Sequence, residues 1–159
     1  MELLLECHGR IRQFTELARE TGQRRDLPAS DVVTACERVE RYFVEALPLH
    51  VRDEEDSILP RLRGRSEALD QALSRMRFEH QAHEPVLAEL LSACRAVREA
   101  PEGAAGLLEL SQVAERLARA FSPHLEQEEA LIFPALRELL TEAERAQISS
   151  ELRARRQSS

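Results

Sequence analysis

The sequence has 159 residues and a formal net charge of −7; leucine, alanine, glutamate and arginine predominate, while glycine and aromatic residues are scarce. This length suits one domain with a substantial core, and this composition favours helices over a sheet. The negative charge, with arginine interleaved among glutamate, argues against nucleic acid as a partner, and we expect neither a signal peptide nor a membrane-spanning segment. Three widely spaced cysteines form neither a disulfide framework nor a zinc clip, so the cytoplasm is the expected compartment.

Apolar residues at helical spacing predict four long helices, at about residues 3–23, 30–63, 66–100 and 104–140. Pro48 and Pro60 are expected to bend the second helix without ending it. The chain from Thr141 to Glu144 resembles a capping box and predicts a short C-terminal helix, whose tail over 153–159 is expected to fray. Four long helices with short links predict an all-α fold, an up-down-up-down four-helix bundle. It would form a single domain over residues 1–159, with its core at 3–140.

Two stretches of the chain repeat one pattern. Placing His50 on His124 also places Glu54 on Glu128, a shift of 74 residues (124 − 50). Residues four apart lie on one face of a helix, roughly 6 Å apart along its axis. Each copy therefore directs an imidazole and a carboxylate to the same side, as a metal-binding edge would.

Each of the four predicted apolar stripes carries at least one histidine, which indicates a metal site inside the bundle. A buried carboxylate is costly unless a charge compensates it, and no basic residue occupies the matching level of the stripes. Two divalent cations would compensate two carboxylates, each carboxylate bridging the cations and each imidazole supplying one nitrogen. The expected metal ligands are His8, His50, Glu54, His80, His83, His124 and Glu128.

The role of His83 stays open between two alternatives. It lies on the same stripe as His80, which favours ligation, but its offset of three residues turns it aside, which favours orienting another ligand. Mixed imidazole and carboxylate ligation, with a shared water-derived bridge and an open position, favours two iron ions, with manganese or zinc as alternatives. A reduced centre of this kind would offer electrons to dioxygen, nitric oxide or peroxide.

Two motifs and two further positions resemble those of hemerythrin-like proteins, also called HHE cation-binding domains. They are His50-x-x-x-Glu54-Glu55 before Pro60, His124-x-x-x-Glu128-Glu129 before Pro134, His8, and Glu79-His80. The resemblance covers about residues 3–140. It implies a four-helix bundle with a non-haem di-iron centre bridged by carboxylates and an oxo or hydroxo group. It also implies oxygen carriage, the sensing of oxygen, nitric oxide or iron, or the repair of iron centres.

The chain departs from the oxygen carriers of that family at two positions. The carriers have a second histidine four residues after the first in the third helix, where this chain has Glu84. They also take the fourth-helix carboxylate from the position that Glu129 occupies here. Glu128 is preferred because it repeats Glu54, with Glu129 as the alternative. These departures favour sensing, iron handling or redox chemistry over reversible oxygen transport.

Three functions compete on this sequence. The first is a di-iron protein that binds, senses or handles dioxygen, nitric oxide, peroxide or iron. The second is a redox enzyme, such as a peroxidase or oxidase, that uses the same centre, and the sequence does not decide between these two. The third is a metal-free helical interaction module. It predicts no loss of stability when Glu54 and Glu128 are both changed to Gln. The sequence identifies no protein partner.

Overall fold

Helices account for nearly all of the chain that the computed structural model describes, residues 2–157, and no strand occurs there. We number the helices α1 (Glu2–Gln23), α2 (29–62), α3 (Glu67–Glu99), α4 (104–139) and α5 (Glu142–Gln157). Among residues 2–157, no helix combines the length and the apolarity that crossing a membrane requires. The all-α prediction is confirmed.

The helices α2 and α4 are continuous rods in which α-helical turns alternate with π-helical turns. The π-helical segments are Tyr42–Ala46, Asp53–Ile58 and Glu128–Ile132. The second residue after each segment is a proline: Pro48, Pro60 and Pro134. Proline has no N–H to donate to the carbonyl four residues earlier. In a π turn, a backbone N–H donates to the carbonyl five residues earlier instead, as the Leu59 amide does to the Glu54 carbonyl. The helices therefore continue past these prolines, as predicted for α2.

The four long helices surround a common interior. α1 and α3 each pack against both α2 and α4. At Gly22 of α1 the backbone of α4 comes so close that a Cβ would collide with Leu107 and Ser111. Gly64, at φ 79°, supplies the turn between α2 and α3. Close packing of this kind fixes the level at which the side chains of different helices meet.

Two apolar clusters divide the core, and a polar layer separates them. In each long helix, a residue of one cluster lies on one side of this layer and a residue of the other cluster lies on the opposite side. These pairs are Leu4 and Ile11, Leu47 and Ile58, Met76 and Leu90, and Phe121 and Ile132. The histidines and glutamates of the repeated motifs lie between these residues. The interior is therefore apolar above and below a polar centre.

The C-terminal helix α5 is longer than predicted. It begins with the predicted capping box, in which the Thr141 amide donates to the Glu144 carboxylate over 2.8 Å and the Glu144 amide donates to the Thr141 hydroxyl over 3.3 Å. It then continues for 16 residues to Gln157. The prediction of a frayed tail is wrong for residues 153–157, because the buried Leu152 and an ion pair to Asp53 hold the helix against α2. Ser158 and Ser159 lie outside the described residues.

Candidate metal centre

Six of the seven predicted ligands meet in the polar layer. They are His8 of α1, His50 and Glu54 of α2, His80 of α3, and His124 and Glu128 of α4. Both carboxylates have no solvent exposure. Both also belong to π-helical segments, which are frequent at functional sites in helical proteins.

Each carboxylate presents one oxygen to a histidine from each half of the chain. The Oε1 atom of Glu54 lies 3.4 Å from Nε2 of His50, and its Oε2 atom lies 3.2 Å from Nε2 of His80. The Oε1 atom of Glu128 lies 3.2 Å from Nε2 of His124, and its Oε2 atom lies 3.1 Å from Nε2 of His8. Each glutamate thus has the arrangement of a bridging carboxylate.

The same distances recur when the two halves are exchanged. The longer contact between His8 Nε2 and Glu54 measures 3.9 Å, and so does its counterpart between His80 Nε2 and Glu128. The donors therefore surround two positions related by a local twofold axis, one between His8 and His50 and the other between His80 and His124.

The inner donor atoms are close together but are not hydrogen-bonded to one another. The Nε2 atoms of three histidines and both oxygens of each glutamate are buried without a hydrogen-bond partner: His8, His50, His80, Glu54 and Glu128. Such atoms are rare in proteins because each costs the desolvation of a polar group. The donor atoms of His8, His50, Glu54 and Glu128 lie within 4.8 Å of one another, as do those of His80, His124 and Glu128, so either group could hold a cation. Imidazole nitrogen and carboxylate oxygen fit a borderline or hard divalent cation.

Carboxylates on the outer side orient three of the imidazoles. The Nδ1 atom of His8 lies 2.8 Å from Glu129. The corresponding distances are 2.9 Å between His80 and Glu55, and 3.0 Å between His124 and Glu79. With the proton on Nδ1, each ring donates to its carboxylate and turns the Nε2 lone pair inward, which is how protein metal sites fix their histidines. Glu129 thus serves His8 from outside the cluster, while Glu128 faces inward.

In the absence of a cation, the cluster holds protons. Burial opposes the charged form of His8, but the carboxylates of Glu128 and Glu54 outweigh it and raise the pKa of His8 to about 9. The pKa of His80 is also raised to about 9, because Glu54 and Glu55 outweigh burial. Burial and the neighbouring Glu54 carboxylate raise the pKa of Glu128 to about 8. Cations must displace these protons to bind, since ligation needs neutral imidazole and ionised carboxylate.

His83 lies beside the cluster and outside both groups of donors. Its ring packs against Phe121 and His124, with centroid distances of 4.7 and 5.1 Å. Burial and the neighbouring His124 lower the pKa of His83 to about 4, so the ring is neutral. Its Nδ1 atom is buried without a partner. Glu84, at the position of the carriers' second histidine, is exposed to solvent.

One buried charge next to the centre was not predicted. Asp53 directly precedes Glu54 and has no solvent exposure. Its oxygens lie 2.7 Å from the Arg155 guanidinium and 2.6 Å from that of Arg156. Nothing in the local sequence indicates this pairing, because the arginines are about 100 residues away and reach Asp53 only through the docking of α5. The role of Glu79 could have been found from the sequence, because this residue directly precedes His80.

The comparison with known families agrees with this geometry. The family model described as the hemerythrin HHE cation binding domain matches residues 1–108 and 87–157, which together span nearly the whole chain. No curated protein gives a significant match. The chain therefore belongs to the hemerythrin HHE cation-binding family.

Proposed function

We propose that this protein binds two iron ions in the polar layer and uses them to bind, sense or handle dioxygen, nitric oxide, peroxide or iron. His8 and His50 would hold one ion, His80 and His124 the other, and Glu54 and Glu128 would bridge the two. The observation that carries the proposal is the pair of fully buried carboxylates, each presenting one unpartnered oxygen to each histidine pair. Without cations, these carboxylates would face buried protonated imidazoles, and the desolvation of both kinds of charge would cost stability and serve no packing purpose.

Iron is the preferred metal because the donors are imidazole and carboxylate without thiolate, with manganese and zinc as chemical alternatives. Iron ions bound there would supply redox electrons and open coordination positions to a small ligand. The chain's own contribution is to align the imidazoles through Glu55, Glu79 and Glu129 and to exclude water. Glu84 points to solvent where the carriers have a histidine, which supports sensing or iron handling over oxygen transport.

The proposal includes the topology and the setting of the centre. We take the four long helices to run up-down-up-down as one domain, which their ring of contacts and short links support. The three cysteines are all free, which supports a reducing compartment such as the cytoplasm.

Anaerobic loading with ferrous iron tests the proposal. We expect two irons per chain by metal analysis and, on admission of air, a near-ultraviolet band from an oxygen bridge to iron. Glu84→Gln, which removes an exposed carboxylate from α3, is the matched control and should load like the parent protein. Protein that stays metal-free after loading would refute the proposal. Multiple turnover of peroxide with a reductant would identify an enzyme, whereas a binder reacts once.

A further inference from the structure

The imidazoles of the two cation positions are arranged almost identically. We call the position between His8 and His50 the first position and that between His80 and His124 the second position. The ring centroids of the two pairs lie 5.1 and 5.0 Å apart, and the ring planes are inclined at 89° and 76°. The main difference between the positions therefore lies behind the imidazoles.

Both imidazoles of the second position have a carboxylate behind them. Glu55 lies behind His80, and Glu79 lies behind His124. Arg75 holds Glu79 in turn, with 2.8 Å between its Nε atom and the carboxylate. A carboxylate in this place keeps the imidazole proton on Nδ1 and makes Nε2 a better metal ligand. Both nitrogens that face the second position are therefore prepared for a cation.

Only one imidazole of the first position is backed in this way. His8 lies against Glu129, but the Nδ1 atom of His50 is buried and has no hydrogen-bond partner among residues 2–157. When a cation binds to Nε2 of a neutral imidazole, the ring proton must be on Nδ1. In His50 that buried N–H would lack an acceptor, which is costly. Cation binding at the first position therefore carries a cost that the second position avoids.

The missing carboxylate corresponds to one residue of the chain, Cys7. Glu79 has Cys7 as its counterpart in α1 (79 − 72), so the local twofold axis places Cys7 behind His50. The outer arginine has a counterpart too, because the Arg156 guanidinium lies 3.7 Å from the Sγ atom of Cys7. A thiol is only a weak hydrogen-bond acceptor, and Cys7 leaves Nδ1 of His50 without a partner.

We infer that the two cation positions are unequal, that the second position fills first, and that Cys7, in the place of a carboxylate, makes the first position the exchangeable one. The inference rests on the proposed function for the presence of two cations. Loss of a partner behind a ligand typically weakens a metal site by about 10–100-fold, so we expect a difference of this size. At cation concentrations between the two dissociation constants, the protein keeps one cation and exchanges the other.

The spacing of the inner donors favours the opposite order. Four donor residues lie within 4.8 Å of one another around the first position, and three around the second. Donor atoms draw together when a cation binds, so loading reduces this difference. It does not supply the missing partner of His50, because no carboxylate among residues 2–157 lies within hydrogen-bonding distance of its Nδ1 atom.

The iron occupancy of each position tests the inference. The protein is supplied with one equivalent of ferrous iron and crystallised without oxygen, and anomalous diffraction at the iron edge measures both occupancies. We expect nearly all of the iron beside His80 and His124. Titration of the same protein against a chelator should give two dissociation constants about 10–100-fold apart.

Changing the residues behind the imidazoles should change this order. Cys7→Glu supplies the missing carboxylate beside Arg156 and should tighten the first position until the two occupancies are similar. Cys7→Ala is the matched control, because it removes the thiol without adding a carboxylate, and should keep the order of the parent protein. Glu79→Cys gives the second position the surroundings of the first and should also equalise the occupancies, by weakening the second position.

The outcomes separate this inference from the proposed function. Protein that takes up no iron would refute both. Protein that takes up two irons, but at one equivalent fills both positions equally or the first position preferentially, would refute the inference alone. Occupancies in Cys7→Glu that match those of Cys7→Ala would overturn the role of Cys7. If Cys7→Glu does not fold, Glu79→Cys decides, and an unchanged order in that variant would contradict the inference.

Discussion

The first helix pair, α1 with α2, and the second, α3 with α4, agree at the metal centre and differ around it. The inner contacts match to about 0.1–0.2 Å: His8 to Glu128 is 3.1 Å and His80 to Glu54 is 3.2 Å. Farther out, Glu55 and Glu129 still correspond, but other residues around the centre have counterparts of different chemistry. The difference teaches that only the inner donors of the two pairs follow the local twofold symmetry, while the surroundings are free to serve separate purposes.

The largest effect is expected at Glu54 and Glu128, the two fully buried carboxylates of the polar layer. Because Glu54 and Glu128 each face both histidine pairs, we expect Glu54→Gln alone to lose both cations, and Glu128→Gln to do the same. Metal analysis after ferrous loading measures this. Loss of only one cation in either variant would show that the carboxylates do not bridge.

Changing both carboxylates together is expected to affect stability in opposite directions in the metal-free and the iron-loaded protein. Without metal, the protonated His8 and His80 pair with these carboxylates. Glu54→Gln with Glu128→Gln replaces the buried ion pairs by neutral imidazole and amide groups, so the free energy of unfolding should rise by about 1–4 kcal/mol. With iron present, the same variant should be less stable than the loaded parent protein, since it gains nothing from binding. Urea unfolding with and without iron measures both, and equal effects in the two conditions would favour the metal-free interaction module.

The second largest effect concerns α5, which docks near one pair only. Asp53 is buried against Arg155 and Arg156, whereas its counterpart Gln127 (53 + 74) donates one hydrogen bond of 3.3 Å to the Ala72 carbonyl. Changing both arginines to Ala leaves a buried carboxylate uncompensated, so we expect the free energy of unfolding to fall by about 3–5 kcal/mol. Adding Asp53→Asn should restore part of this loss.

The controls for this prediction are Gln127→Ala and Arg153→Ala. The first removes one hydrogen bond and should cost about 0.5–1.5 kcal/mol. The second alters an exposed side chain of the same helix and should change stability by less than about 0.5 kcal/mol. If the double arginine variant unfolds at the same urea concentration as Arg153→Ala, then α5 does not stabilise the first pair.

A smaller effect is expected from the carboxylates that orient the imidazoles. Glu79 orients His124, but its counterpart in α1 is Cys7 (79 − 72), and Nδ1 of His50 has no partner. We expect Glu79→Gln to weaken one of the two cations by about 10–100-fold, and Cys7→Ala to leave both affinities as they are. Titration against a coloured chelator resolves the two binding steps. Equal weakening by both variants would remove the distinction between the pairs.

The smallest effect separates His83 from the ligands. Its counterpart in α1 is Ile11 (83 − 72), so His83→Ile makes the two helix pairs more alike beside the centre. We expect this variant to keep both cations and to change stability by less than about 1 kcal/mol, while His80→Ile loses at least one cation. Loss of a cation from His83→Ile would make His83 a ligand.

Features of the site that depend on local periodicity could be predicted from the sequence. The spacing of His50 and Glu54 and its repeat at His124 and Glu128 follow from helix geometry, so their convergence could be predicted. The repeat also favoured Glu128 over Glu129, but it left Glu129 open, because the direction of each side chain depends on how the π turn places consecutive residues relative to α1.

Long-range contacts could not be predicted from the sequence, for a different reason. Asp53 is as acidic as its exposed neighbour Asp56, and only the docking of α5 distinguishes them.

The most direct test of the central claim is a crystal structure of the iron-loaded protein, with anomalous data collected at the iron absorption edge. We predict two anomalous peaks in the polar layer, one beside His8 and His50 and one beside His80 and His124, with Glu54 and Glu128 contacting both. A single peak, or a layer without iron whose imidazoles turn away from the carboxylates, would contradict the account.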